Sequence, residues 1–303
     1  MHDDLKDKNP VEWPKISIVI PTLNQGKYVE KTIESILLQN YPDLELIVID
    51  GGSTDQTLGI LDRYSENIDH LESLPDRGQS HALNKGLLLA GGELLGWLNS
   101  DDYFTPGALE VVARQYTNTG KSDVGAIVGG GDIVSESGEQ VYVSKTEHVS
   151  LNALYDWADG KNFMQPSCFF TRKAWEECGP LDENLRYTMD LDLWLKISKK
   201  FEFEVIEEVL SHSLAHAEAK TTAYLTESDS PEAVNSLRKL HQEMALVIAR
   251  HGGFKQGKSI LDEQLNQYLE LHQTLVELQN SKPYRFAVFV RKIKEKLMSG
   301  GRS

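Results

Sequence analysis

Cysteine is scarce in this 303-residue sequence, with only Cys168 and Cys178 present. Neither a metal-ligand spacing nor a disulfide framework can be built from them, so a reducing compartment is expected. Positive charge is also in short supply: 31 Lys and Arg face 46 Asp and Glu, a formal net charge of -15. That balance argues against a nucleic-acid binder, whose footprint should be basic. No apolar run approaches the ~20 residues that cross a bilayer. The opening MHDDLKDKNP is acidic and polar, where a signal peptide is basic and then apolar. A cytoplasmic protein is the expectation. No G-x-G-x-x-G follows either of the first two apolar segments, which leaves a dinucleotide-binding dehydrogenase without support.

What is present reads as an ordinary globular chain, 40% hydrophobic and 25% charged, long enough for one large α/β domain with an appendage. Residues 1–14 form a polar lead-in. Ile16 to Pro21 and Leu44 to Asp50 are continuous apolar runs, the pattern of strands buried on both faces. Apolar spacing predicts helices over Tyr28 to Gln39, Thr57 to Tyr64, His81 to Ala90 and Asp190 to Phe201. Further strands are expected at Leu94 to Leu98, Val124 to Val128 and Phe203 to Leu210, with Gly129 to Gly131 as a turn. Long amphipathic helices follow from about Pro231. Strands alternating with helices predict an α/β fold with a mostly parallel, doubly wound sheet. The expected organisation is a lead-in over 1–14, a catalytic domain over 15–225 and a helical region over 226–303.

Ligands of such sheets sit beyond the carboxyl ends of the strands. Thr22-Leu23-Asn24, Asp50 and Asp101 each follow a predicted strand, so three strand ends bring polar groups to one rim. In LNSDD, Leu98 to Asp102, adjacent carboxylates at the end of an apolar strand call for a neutralising cation. Mg2+ or Mn2+ binds through few carboxylates, completing its shell with water and phosphates. The competing reading is a helix cap before Pro106. In DGGSTD, Gly51 and Gly52 allow a tight turn close to a ligand, Asp50 is placed to hydrogen-bond a base or ribose, and Ser53 or Asp55 to cap the next helix. Asp190 falls in the first turn of the helix of MDLDLWLKI. A carboxylate there is either held by the helix dipole or serves as a general base. His216, after an apolar strand-like segment, taken alone reads as structural or exposed.

Three segments in this order and spacing resemble the family 2 glycosyltransferases and their GT-A fold: SIVIPTLNQGKYVEKTIESILLQNYPDLELIVIDGGSTDQT, DRGQSHALNKGLLLAGGELLGWLNSDD and QPSCFFTRKAWEECGPLDENLRYTMDLDLWLKI. The likeness runs from about Lys15 to Thr222. It implies an inverting, metal-dependent transferase that moves a sugar from a nucleoside-diphosphate sugar to an acceptor hydroxyl, in polysaccharide or glycolipid synthesis. Carried over by motif, Thr22, Asn24, Asp50, Asp76, Asn84, Lys85, Asn99 and Ser100 are implied nucleotide-sugar contacts. Asp101, with Asp102 and His216, is an implied ligand of Mn2+ or Mg2+. Asp190 is the implied base, Gln165 and Pro166 line the acceptor side, and Lys220 accompanies His216 in a late segment that reaches the metal or diphosphate.

The sequence departs from the pattern at four places. Asn99 stands for the first Asp of D-x-D, Met189 for the Glu before the base, His81 for an Asp, and Gly51 for the second Asp of D-D-G-S. With Asn99 and Met189 in view, a catalytically silent nucleotide-sugar-binding module is one alternative. A nucleotidyltransferase is another, although PTLNQGKY lacks the Gly-rich basic loop it needs. The basic, apolar segment from Lys282 to Arg302 suggests contact with an anionic membrane surface and a lipid-linked acceptor, against a solvated helix packing on the catalytic domain or a partner. The apolar stripe from Ile260 to Leu278 suggests helix pairing between subunits.

Overall fold

A computed structural model describes residues 13–119, 123–144, 146, 148–159, 163–216, 219 and 231–280. The predicted strands at the start of the chain set its frame. Strand β1 (Ile16–Thr22) is buried at every position and β2 (Leu44–Asp50) from Leu46 onward. β1 runs parallel to β2 on one side and to β4 (Leu94–Trp97) on the other, while β3 (His70–Ser73) adds in parallel beyond β2. The order continues from β4 through β8 (Cys168–Thr171), β6 (Val124–Ser135), β9 (Glu202–Ala215) and β5 (Tyr103–Phe104), with β7 (Gln140–Ser144) pairing β6 off this path. β8, β7 and β5 run against their neighbours and the remaining six strands share one direction. The sheet is thus mostly parallel.

Both faces of the sheet are covered. Ile16, Ile18, Ile20, Leu46 and Val48 join one core with α1 (Val29–Leu37), α2 (Thr57–Arg63) and α4 (Ala108–Asn118). Val19 and Ile49 point the other way, against Gly86 of α3 (Gln79–Leu89). Burial from both sides explains why these runs are continuously apolar rather than alternating.

The glycine run corrects one expectation. Gly129 to Gly131 is not a turn but lies inside the twelve-residue strand β6. A Cβ on Gly129 would stand 2.5 Å from Leu210 of β9, and one on Gly131 2.6 Å from Met164. The glycines admit those neighbours, and the β6–β9 register shifts beside Gly130, as bulged strands do. β9 in turn runs past Leu210 to Ala215.

On the second half of the chain, α5 (Leu151–Tyr155), α6 (Arg172–Cys178) and α7 (Met189–Ile197) precede two longer helices, α8 (Pro231–Arg250) and α9 (Phe254–Asn280). Contacts divide the chain at Gly257. α8 belongs to the first unit, where Met244, Val247 and Ile248 are buried. In the second unit α9 carries Leu261, Leu265 and Leu269 exposed at helical spacing. No helix among the described residues is long and apolar enough to cross a membrane. The segment from Lys282 to Arg302 and residue Lys220 lie outside the described residues.

Candidate active site

Parallel pairing puts the carboxyl ends of β3, β2, β1 and β4 side by side. Thr22 and Asp50 are direct register partners, and Asn99 to Asp102 follow immediately after β4. Asp76 follows β3 and lies against Gly51, where an added Cβ would stand 2.9 Å from its Oδ2. An acidic side chain at position 51 would set a second negative charge beside the Asp76 carboxylate, which would have to shift to make room.

The residues of this rim differ in how much of their polar surface is already used. Asp50 is fully buried; it accepts from the Gly52 and Ser53 amides at 3.1 and 2.9 Å and from the Ser73 hydroxyl at 2.6 Å. It therefore shapes the D-G-G-S turn. Asn24, in the left-handed region at φ 52°, accepts from the Thr54 amide at 2.8 Å. Asp55 bonds the Thr57 amide at 2.9 Å and the Gly26 amide at 3.0 Å, tying the loop after β1 to α2. Asn84 is matched in both directions to the backbone of Leu181, at 3.0 and 2.9 Å. Lys85 pairs with Glu72, and His81 Nδ1 accepts from the Arg77 amide at 3.3 Å. Buried Thr22 Oγ1 has no hydrogen-bond partner among the described residues.

The carboxylates after β4 are not a helix cap, because α4 begins at Ala108 behind Gly107. They separate into two environments. Asp102 is buried; Asn99 Nδ2 donates to it at 3.0 Å, and Ser213 and the Leu214 amide bond it from β9. Burial, then the charge of Asp101, pushes its carboxyl well above the ordinary range. Asn99 also accepts from Gln79 Nε2 at 2.6 Å and donates to Gln165 Oε1 at 3.4 Å. An Asp at 99 would give Asp102 a second like charge in place of a donor.

Asp101 stays partly exposed, and its Oδ2 lies 2.9 Å from Nε2 of His216, which is buried just beyond β9. Tyr28, ahead of α1, packs against the His216 ring, with centroids 4.3 Å apart and planes tilted by 39°. Adjacent ligands of an octahedral ion with bonds of about 2.1 Å stand about 3.0 Å apart. The Asp101–His216 pair thus has both the spacing and the oxygen and nitrogen donors for a divalent cation such as Mn2+. No group of three or more His, Cys, Asp or Glu side chains arranged for a metal occurs among the described residues. Such an ion would need water or phosphate to complete its shell.

Asp190 reaches the same end of the sheet on α7. Trp194, one turn further along this helix, stacks on Trp97 at the end of β4, with ring centroids 5.5 Å apart and planes 10° apart. Burial and the charge of Asp190 push the thiol of Cys168 upward, which puts Asp190 beside the start of β8. Three residues earlier Gln165 Nε2 donates to the Trp97 carbonyl at 3.0 Å, and Pro166 is buried next to it. Gln165 therefore bridges the Asn99 network and the side where Asp190 stands. Asp190 Oδ1 accepts from the Leu191 amide at 2.8 Å.

Sequence reasoning missed Gln79, Tyr28 and Ser213, since each acts through a partner remote in the chain. It also missed Asp192, fully buried on α7, with His251 Nε2 at 2.8 Å and Lys196 Nζ at 2.7 Å. Burial raises its carboxyl, but the hydrogen bonds from His251 and Lys196 outweigh that and leave it below the usual range. A depressed carboxylate contributes stability above its unfolded pKa of about 3.9 and loses it as pH falls through the folded value. Asp192→Ala, which leaves these partners uncompensated, should cost about 3–5 kcal/mol at pH 7. Thermal unfolding should show the gap to the parent closing only below about pH 4.

Comparison with known proteins agrees with this architecture. The family described as Glycosyl transferase family 2 matches residues 17–178, more than half of the chain. An uncharacterized glycosyltransferase of Rickettsia prowazekii is 29% identical over 252 residues, covering 80% of this chain and 77% of that protein. Among solved structures, S. aureus TarS 1–349 in complex with UDP superposes with a TM-score of 0.57 at 21% identity, over 88% of this chain and 75% of that one. The mannosyltransferase PcManGT from Pyrobaculum calidifontis, solved with GDP-Man and Mn2+, gives 0.54 at 18% identity, over 93% and 86%. With a mostly parallel sheet flanked by helices, like these structures, and a family match across its first four parallel strands, the chain belongs to glycosyl transferase family 2.

Proposed function

We propose that this glycosyltransferase is an inverting, metal-dependent enzyme that moves a sugar from a nucleoside-diphosphate sugar to a hydroxyl of a saccharide or lipid-linked acceptor. The observation that carries the reading is the meeting of Asp101 and His216, 115 positions apart, at 2.9 Å on the strand-end rim. The bound neighbours support it: TarS is solved with UDP, and the mannosyltransferase with GDP-Man and Mn2+.

In this mechanism Thr22, Asn24 and Asp76 contact the nucleoside, with Asp50 holding the turn that presents them. Asp101 and His216 would hold the divalent ion, whose chemistry is to stabilise charge on the departing diphosphate. Asp190 takes the proton of the acceptor hydroxyl. That oxygen bonds to the anomeric carbon from the face opposite the breaking bond to the diphosphate oxygen, which inverts the configuration. Gln165 and Pro166 flank the acceptor side. A role in polysaccharide or glycolipid synthesis at the inner face of the membrane completes the reading. The exposed stripe of Leu261, Leu265 and Leu269 is in keeping with pairing of two copies.

A thermal-shift screen of UDP- and GDP-sugars, with and without Mn2+, tests the proposal. A cognate donor near 100 times its Kd should contribute about 2.7 kcal/mol, roughly 5–10 °C at this size, and the shift should grow with Mn2+. If no nucleotide sugar stabilises the chain, or Mn2+ leaves the shift unchanged, the metal-dependent reading fails.

A further inference from the structure

Helix α8 lies well beyond residue 178, where the family match ends, yet one of its side chains grips the entry to α7. The Glu243 carboxylate accepts four hydrogen bonds there: from the amides of Arg186, Tyr187 and Thr188 at 3.0, 2.6 and 2.8 Å, and from the Thr188 hydroxyl at 2.9 Å. These donors precede the first turn of a nine-residue helix and have no intrahelical acceptor. An anion at that place gains from both the convergent amides and the helix dipole. Thr188 is the residue before α7 and Asp190 the second within it, so Glu243 fixes the backbone two residues ahead of Asp190.

We propose that Glu243 is a positioning residue for Asp190, which makes α8 a working part of the catalytic unit. The proposal rests on the reading of Asp190 as the base. The rest of α7 is docked by contacts other than Glu243, Trp194 on Trp97 and Asp192 with His251. What Glu243 sets is the path of Arg186 to Thr188 and the phase of the first turn. A displacement of about 1 Å at a reacting group can cost on the order of 100-fold in rate. The consequence of losing Glu243 is therefore expected in turnover more than in donor binding or folding.

The test uses the full chain with Glu243→Ala and Glu243→Gln, each alone and combined with Asp190→Asn. Hydrogen exchange read by mass spectrometry needs no substrate. Glu243→Ala should exchange at least about tenfold faster over 186–191 while 194–197 keep their protection; unchanged exchange over 186–191 overturns the proposal. With the donor returned by the screen, Glu243→Ala should lower kcat about 10- to 100-fold at nearly constant donor KM. Glu243→Gln, which keeps one carbonyl acceptor, should recover part of the loss. In the Asp190→Asn background the Ala change should cost nothing further, since both act through one group. An equal loss in both backgrounds, or a loss confined to KM, overturns the proposal. Near-normal turnover of Asp190→Asn by itself overturns the base reading instead, so the two failures are distinguishable.

Discussion

Asp190→Asn is expected to lower kcat by about 10²- to 10⁴-fold, the usual contribution of a positioned general base. The substitution keeps the shape of the side chain and a carbonyl oxygen for the Leu191 amide, now bonded at 2.8 Å. The helix should therefore start as before, and Tm should move little. What is lost is the anionic oxygen able to accept a proton from the acceptor hydroxyl. Steady-state transfer measured beside a thermal melt separates these effects. A variant that melts normally and retains turnover within about threefold of the parent would remove Asp190 from the chemistry, a loss that small being under 1 kcal/mol of barrier.

Asp101→Ala should be nearly as damaging, for a different reason. Asp101 is the less buried member of the D-D pair and the one that meets His216. Asp102 is turned inward onto Asn99, Ser213 and Leu214. Loss of a group that stabilises developing charge costs about 10²- to 10³-fold. The Mn2+ concentration that gives half-maximal rate should rise with it. His216→Ala should follow in the same direction with a smaller drop, because it removes one neutral donor and leaves the carboxylate. A metal titration of both variants against the parent checks this. An Asp101→Ala enzyme with an unchanged Mn2+ requirement would mean that the cation is held elsewhere.

The two proposals involving α7 also bear on how the site is built. Asp190 stands on a helix whose entry is held by Glu243 of α8 and whose Asp192, in the same first turn, is buried against His251. Both anchors come from beyond residue 178. In the proposed mechanism the end of the sheet would supply the metal and nucleotide side, while the later helices would hold the base.

The strands of the first half were legible because burial on both faces leaves an unmistakable residue pattern: Ile16–Thr22 and Leu44–Asp50 needed only local hydrophobicity to be found. The polar groups at their ends were legible for the same reason, since a buried strand that stops in Thr, Asn or Asp announces its own carboxyl edge. The run Gly129 to Gly131 was misread as a turn because glycine signals permissiveness and not the reason for it. Here the reason is the approach of Leu210 and Met164, residues far away in the chain. The meeting of His216 with Asp101 was legible only through the family resemblance, and no local pattern could show that Tyr28 would pack against that histidine or that Glu243 would grip the entry to α7. Hydrophobic periodicity records whether a residue is buried, and so fixes the elements and the rim. Which side chains meet across that rim depends on strand order and helix docking, which are set by the packing of the whole chain.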